Sequence, residues 1–143
     1  MTALPFALIC GLASFLACQG WKIVRPVFSG RPPHPAEFFR SGGMPSAHTA
    51  FSASVAFAAG FREGFGSSLF AVAAVLTAIV AHDAVKVRGT MDSVIIILRK
   101  TVSSDVIEES GGLPESIGHS IAEIAVGLAV AAAIATGLHF LLP

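Results

Sequence analysis

Four apolar runs limit what this chain can fold into: about Leu4 to Trp21, Pro45 to Phe61, Ser67 to His82 and Ile117 to Leu142. A hydrocarbon core about 30 Å thick is crossed by roughly 20 mostly apolar residues of α-helix, and neighbouring lengths are accommodated by tilt. Each run is therefore expected to span. With 54% hydrophobic and 13% charged residues, the chain is far more apolar than an ordinary soluble domain. At 143 residues it has room for one domain, 1–143, so any site must be assembled from segments distant in sequence. The expected fold class is all-α: an integral membrane bundle of about four transmembrane helices plus a short interfacial helix.

A formal net charge of zero exerts no overall pull on nucleic acid, and no nucleic-acid partner is expected. Cys10 and Cys18 lie in the first run without a Cys-x-x-Cys pair or a histidine at ligand spacing, and read as small core or lipid-facing residues. That run ends in Trp21-Lys22, an aromatic and a cation suited to the interface, and not in a small-residue cleavage site, so it should stay attached. The second and third runs, joined by Arg62-Glu63-Gly64-Phe65-Gly66, should form an antiparallel hairpin. The last run is rich in Ala and Gly, as close helix packing in membranes favours. Its Gly127 and Gly137 are candidates for a homodimer interface.

Two polar connections remain. Residues 22–44 carry Pro26, Pro32, Pro33 and Pro35 with Gly42 and Gly43, which argues for an ordered loop. Residues 83–116 contain a stretch at 91–100 that is too short to span and is expected as a helix at the interface or packed on the bundle. With four spans, both connections fall on one side of the membrane. That side then holds Lys22, Arg25, Arg31, Arg40, Lys86, Arg88, Arg99 and Lys100, every Lys and Arg except Arg62. The positive-inside rule places this face in the cytoplasm, in an inner or cytoplasmic membrane.

Every polar cluster with catalytic potential maps to the same face. The first is Lys22 with Arg25 and Arg31. The second, Ser41-Gly42-Gly43-Met44-Pro45-Ser46-Ala47-His48, leads into the second span; glycines admit close backbone approach, Pro45 suits a first helical turn, and free N–H groups there favour an anion. The third is His82-Asp83 with Lys86 and Arg88. The fourth is Gly118-His119-Ser120-Ile121-Ala122-Glu123, where a spacing of four puts His119 and Glu123 on one face of a helix. A carboxylate bonded to one ring nitrogen fixes the tautomer and stabilises the imidazolium as it forms, which suits a nucleophilic histidine. Two histidines and several cations around one phosphate could supply nucleophile, proton donor and charge stabilisation.

In this order the clusters resemble the type 2 phosphatidic acid phosphatase and vanadium haloperoxidase superfamily, specifically its small divergent membrane branch. Lys22 with Arg31-Pro32 is similar to the first motif, Pro45-Ser46-Ala47-His48 to the second, and Arg88 with His119-x-x-x-Glu123 to the third. The resemblance implies a phosphohistidine formed on His119, with Glu123 orienting it and His48 as the acid for the leaving alcohol. Phosphate oxygens would be held by Lys22, Arg31 or its rival Arg25, Arg88, Ser46 and the Gly42-Gly43 loop. The chain departs from the wider pattern at Ala47, Val87 and Glu123, and in the long gap between Arg88 and His119. Asp83 has no counterpart in that pattern, and a charge-assisted bond positioning Arg88 or Lys22 is expected of it.

The implied activity is hydrolysis of a phosphomonoester or terminal pyrophosphate on a lipid, such as phosphatidic acid, phosphatidylglycerophosphate or a polyprenyl phosphate. Neither metal nor other cofactor is called for. Two other readings use the same residues: a metal-dependent hydrolase with ligands from His48, His82, Asp83, His119 and Glu123, and a non-catalytic lipid- or anion-binding protein. The cation density opposes the first of these. His34 and His139 read as loop and interface residues, Arg40, Arg99 and Lys100 as surface or headgroup contacts, and Glu108, Glu109 and Glu115 as a solvated acidic stretch.

Overall fold

The computed structural model describes residues 4–33, 37–38, 42–114 and 116–142; His34, Arg40, Ser41 and Glu115 lie outside this set. Six α-helices are formed, and no strand occurs among the described residues: α1 (Phe6–Val24), α2 (Ala47–Glu63), α3 (Ser68–His82), α4 (Arg88–Thr101), α5 (Ser104–Glu109) and α6 (Ile121–Leu141). A 3-10 turn, Arg25–Ser29, follows α1, and a π turn, Asp83–Val87, joins α3 to α4.

Among the described residues, three helical runs are long and apolar enough to cross a membrane: Phe6–Ser29, Ser68–Thr101 and Ile121–Leu141. This is the fold of an all-helical membrane protein. The expected fourth span, α2, has a different character: it packs against α1, α3 and α6, and ten of its 17 residues are buried. Its Ala, Ser, Thr and Gly side chains let three neighbours approach closely, as membrane bundles require. Ser54 shows the principle, since its hydroxyl donates to the Ala131 carbonyl of α6 and its oxygen meets the Ser14 hydroxyl of α1. Such bonds are worth only about 0.6 kcal/mol each in a membrane bundle. They set the register of helices that van der Waals packing holds together. Both cysteines are core residues: Cys10 packs with Ala58 and Ala135, and Cys18 with Ala47 and Ala50.

Two expectations about helix limits change. The segment 91–100 is no separate interfacial helix; it belongs to α4, which continues α3 through the π turn as one 34-residue helix. Residues 83–90 are polar but contain no proline and a single glycine, and polarity ends a hydrophobic run without ending a helix. At 1.5 Å per residue, the π turn and α4 together carry the chain roughly 30 Å beyond the end of α3. Pro45 stands before the N-cap, Ser46, and outside the first helical turn.

Gly127, expected at a subunit interface, is used within the chain. A Cβ there would lie 2.7 Å from the Ser46 carbonyl oxygen, so its smallness lets α6 press against the segment leading into α2. Gly137 has open space at its Cβ position. At the opposite end of the bundle, the Arg62 guanidinium lies 4.2 Å from the centre of the Phe6 ring and donates to the Leu142 carbonyl. His139 stacks on Phe61 with ring centres 4.8 Å apart.

Candidate functional site

Three segments far apart in sequence meet at the end of the bundle where α1 stops and α2 begins. Gly42 and Gly43 both take a left-handed backbone, with φ of 76° and 77°, a conformation that glycine adopts at no steric cost. At Gly42 the absence of a side chain also matters for space, because a Cβ would lie 3.2 Å from the Ser116 carbonyl oxygen and 3.3 Å from that of Gly118. Gly118 in turn packs on the start of α4, its Cβ position being 2.8 Å from Asp92 Oδ2 and 3.0 Å from the Gly89 nitrogen. Backbone bonds complete the junction: His119 N–H donates to the Ala84 carbonyl at 3.0 Å, and Ser46 N–H to that of Glu123 at 3.1 Å. The π turn therefore serves as a docking point for the loop that carries His119. Such turns recur at functional positions in helices.

His119 is 9% exposed, and its Nδ1 lies 3.0 Å from Glu123 Oε2. The spacing of four suggested a shared helical face, but α6 begins only at Ile121, so His119 precedes the helix. A capping box brings the pair together instead. Ser120 is the N-cap, its hydroxyl accepting from Glu123 N–H at 3.3 Å while Glu123 Oε2 accepts from Ser120 N–H at 3.0 Å. Satisfying these otherwise orphaned N–H groups folds the carboxylate back over the helix start, where it also receives the imidazole. With Nδ1–H donated to Glu123, Nε2 keeps its lone pair.

Burial pushes the His119 pKa below its ordinary value; the hydrogen bond and charge of Glu123 oppose this, and the positive charges of Lys22 and Arg88 add to it. The ring is thus held neutral in a positive field. His48, in the first turn of α2, feels the charges of Arg88, His119 and Lys22 and packs edge-on against Phe15, with ring centres 6.1 Å apart.

Two cavities flank this junction. The first, of about 390 Å³, is lined by Lys22, Arg25, Arg31, Gly42, Gly43 and Ser116, with Glu37 also facing it. Both rivals for the first-motif arginine reach it. Lys22, in the last turn of α1, is 9% exposed. The second cavity, of about 450 Å³, has His48, Asp83 and Arg88 at one end. There Arg88 Nε donates to Asp83 Oδ2 at 2.9 Å, a bond that bridges the π turn. His119 lines neither cavity, but Lys22 of the first and Arg88 of the second both act on its charge. Ser46 also lines neither: it is fully buried, and its hydroxyl pairs with that of Thr49 at 3.0 Å.

Structural roles at and beside the site fall to three residues for which the sequence suggested no such role. Asp92 accepts from the Ser116 hydroxyl at 2.7 Å, Ile117 N–H at 2.8 Å and Gly118 N–H at 3.1 Å, pinning the loop directly before His119. Arg99, expected at the surface or on a headgroup, donates to the carbonyls of Leu113 and Pro114 at 3.1 and 3.0 Å. The two are seven residues apart, hence on one side of α4, and that side faces the returning loop. The third is Ser120, whose Ser-x-x-Glu pattern marks a capping box in sequence. Among the described residues no three His, Cys, Asp or Glu side chains gather where they could hold a metal ion.

No curated protein and no solved structure matches the chain. A family profile described as "Divergent PAP2 family" matches residues 5–134, a stretch containing all four polar clusters and the junction they form. The chain therefore belongs to the divergent PAP2 family, a branch related to the phosphatase superfamily its motifs resemble.

Proposed function

We propose that this membrane protein hydrolyses a lipid phosphate, a phosphomonoester or the terminal phosphate of a pyrophosphate, without a metal ion. His119 Nε2 attacks phosphorus as the bond to the leaving oxygen breaks, and His48 donates the proton that this oxygen takes up, leaving an alcohol from a phosphomonoester or a lipid monophosphate from a pyrophosphate. Water, giving its proton back to His48, then attacks the phosphohistidine, breaks the P–N bond and releases inorganic phosphate. Lys22, Arg88 and the arginines of the first cavity bind the phosphoryl oxygens and stabilise the charge spread over them in the transition state. The basic end of the bundle, by the positive-inside rule, faces the cytoplasm.

The observation that carries this reading is the His119–Glu123 pair at 3.0 Å, its imidazole buried and subject to the positive charges of Lys22 and Arg88. A braced neutral imidazole within a cluster of cations suits an anionic electrophile. Its test is a panel of lipid phosphates presented to the purified protein in detergent, with phosphate release measured against orthovanadate and EDTA. Release from at least one lipid, inhibition by vanadate and indifference to EDTA are expected. Lipid binding without turnover across the panel would instead support the non-catalytic reading.

A pH dependence follows from the same pair. His119 attacks as neutral imidazole, so the rate falls as pH drops through its pKa. Because Glu123 raises that pKa, Glu123→Gln should move the acid limb of the kcat/KM profile to lower pH. The plateau should fall by roughly 10²-fold, since the forming imidazolium loses its counter-charge. An acid limb that stays in place or moves to higher pH contradicts the assignment.

A further inference from the structure

The second cavity extends well beyond its charged end. From His48, Asp83 and Arg88 it continues between α2 and α3 past Phe51, Leu76 and Ile79 to Val55 and Ala73. Ser52 on its wall has its hydroxyl donated to the Thr49 carbonyl at 3.2 Å, so that wall presents no unmet polar group there. Seven residues separate His48 from Val55 and ten separate Ala73 from Asp83, which at 1.5 Å per residue makes the groove roughly 10–15 Å long. One leaflet of a hydrocarbon core about 30 Å thick has nearly the same depth, about 15 Å.

On α3, Leu69, Val72 and Val75 are more than half exposed, as are Leu76 and Ile79 of the groove wall, so the groove opens onto a surface that hydrocarbon covers in a bilayer. Cation and histidine at one end and an apolar slot behind them match a molecule with an anionic head and a chain.

We propose that the α2–α3 groove receives one hydrocarbon chain of a lipid phosphate drawn from the adjoining leaflet, with its phosphate at the His48–Arg88 end. This rests on the phosphatase reading above and names the part of the substrate that the catalytic residues do not touch. Lipid tails are as apolar as the bundle, so moving a chain from bilayer to groove gains little free energy. The groove acts by orientation, aligning the phosphorus with His119.

The test compares a long-chain lipid phosphate in mixed micelles with a water-soluble phosphomonoester that has no chain. Ala73→Trp fills the inner end of the groove. It should lower kcat/KM on the long-chain substrate by about tenfold to a hundredfold, the usual consequence of misplacing a reacting group, while leaving the soluble substrate little changed. No effect on the long-chain substrate, or an equal loss on both by a folded variant, overturns the proposal. Because Ala73 is packed, a second measurement uses the unaltered protein with a lipid phosphate carrying a diazirine at mid-chain. Adducts are expected on Val55 or Ala73, the sheltered residues of the groove. Labelling confined to the exposed Leu69, Val72, Val75, Leu76 and Ile79, as would follow if a second copy or another protein filled the groove, also overturns it. Should the unaltered protein hydrolyse neither substrate, the phosphatase reading fails, and the labelling still reports on the groove.

Discussion

Replacing His119 with alanine is expected to reduce lipid phosphate hydrolysis to background, a fall on the order of 10⁴- to 10⁶-fold, as removal of a nucleophile does in other covalent mechanisms. The bundle should survive the change. The backbone N–H of residue 119 bonds to the Ala84 carbonyl, and the capping box depends on Ser120 and Glu123; neither uses the imidazole. The fate of the phosphoryl group gives an independent check. Brief reaction with lipid carrying radiolabelled phosphate, quenched in base, should leave label on the unaltered protein, because a phosphoramidate bond survives base and breaks in acid. The His119→Ala chain should carry none. Full activity in that variant would remove the mechanism.

Asp92→Ala should also give a large loss, although Asp92 is not placed at the reacting atoms. Its carboxylate holds Ser116, Ile117 and Gly118, and without it two backbone N–H groups lose their partner next to His119. Bonds to a charged acceptor are worth about 1.5–3 kcal/mol each when sheltered, and less here because Asp92 is partly open to solvent. A fall in kcat of about 10²-fold is expected from a displaced nucleophile, with little change in KM. Asp92→Asn, which keeps one acceptor oxygen, should fall between the two. A kcat that is unchanged in Asp92→Ala would show that the loop holds its shape without this anchor. Asp92 is a positioning residue in this account, and the split between kcat and KM separates that role from phosphate binding.

Much of the site was legible because its chemistry is local in sequence. The His119–Glu123 bond joins residues four apart, and that spacing alone suggested that the two groups meet. Glycines at 42 and 43 announced an unusual backbone, and both have positive φ. The reason offered for the His119–Glu123 contact was nevertheless incomplete, since the pair forms across a helix start and not along a helix. Asp92 was missed for the opposite reason. Its partners lie 24 to 26 residues away, and no short pattern connects a carboxylate on one helix with N–H groups of a loop that returns to it.

The amino-acid sequence by itself determined that this is a helical membrane protein with its cations and histidines gathered toward one end, because apolar run length, charge placement and capping patterns act within a few turns of chain. Tertiary structure alone decided that α2 is the enclosed axis of the bundle, that α3 runs on into α4, and that the Gly42, Asp92 and His119 segments converge. Those outcomes depend on which helices can approach closely enough to share hydroxyl bonds and fill one another's surfaces. Approach distance is a property of pairs of distant segments, and it is set only when Gly118, Gly127 and the alanines of α2 come to rest against their neighbours.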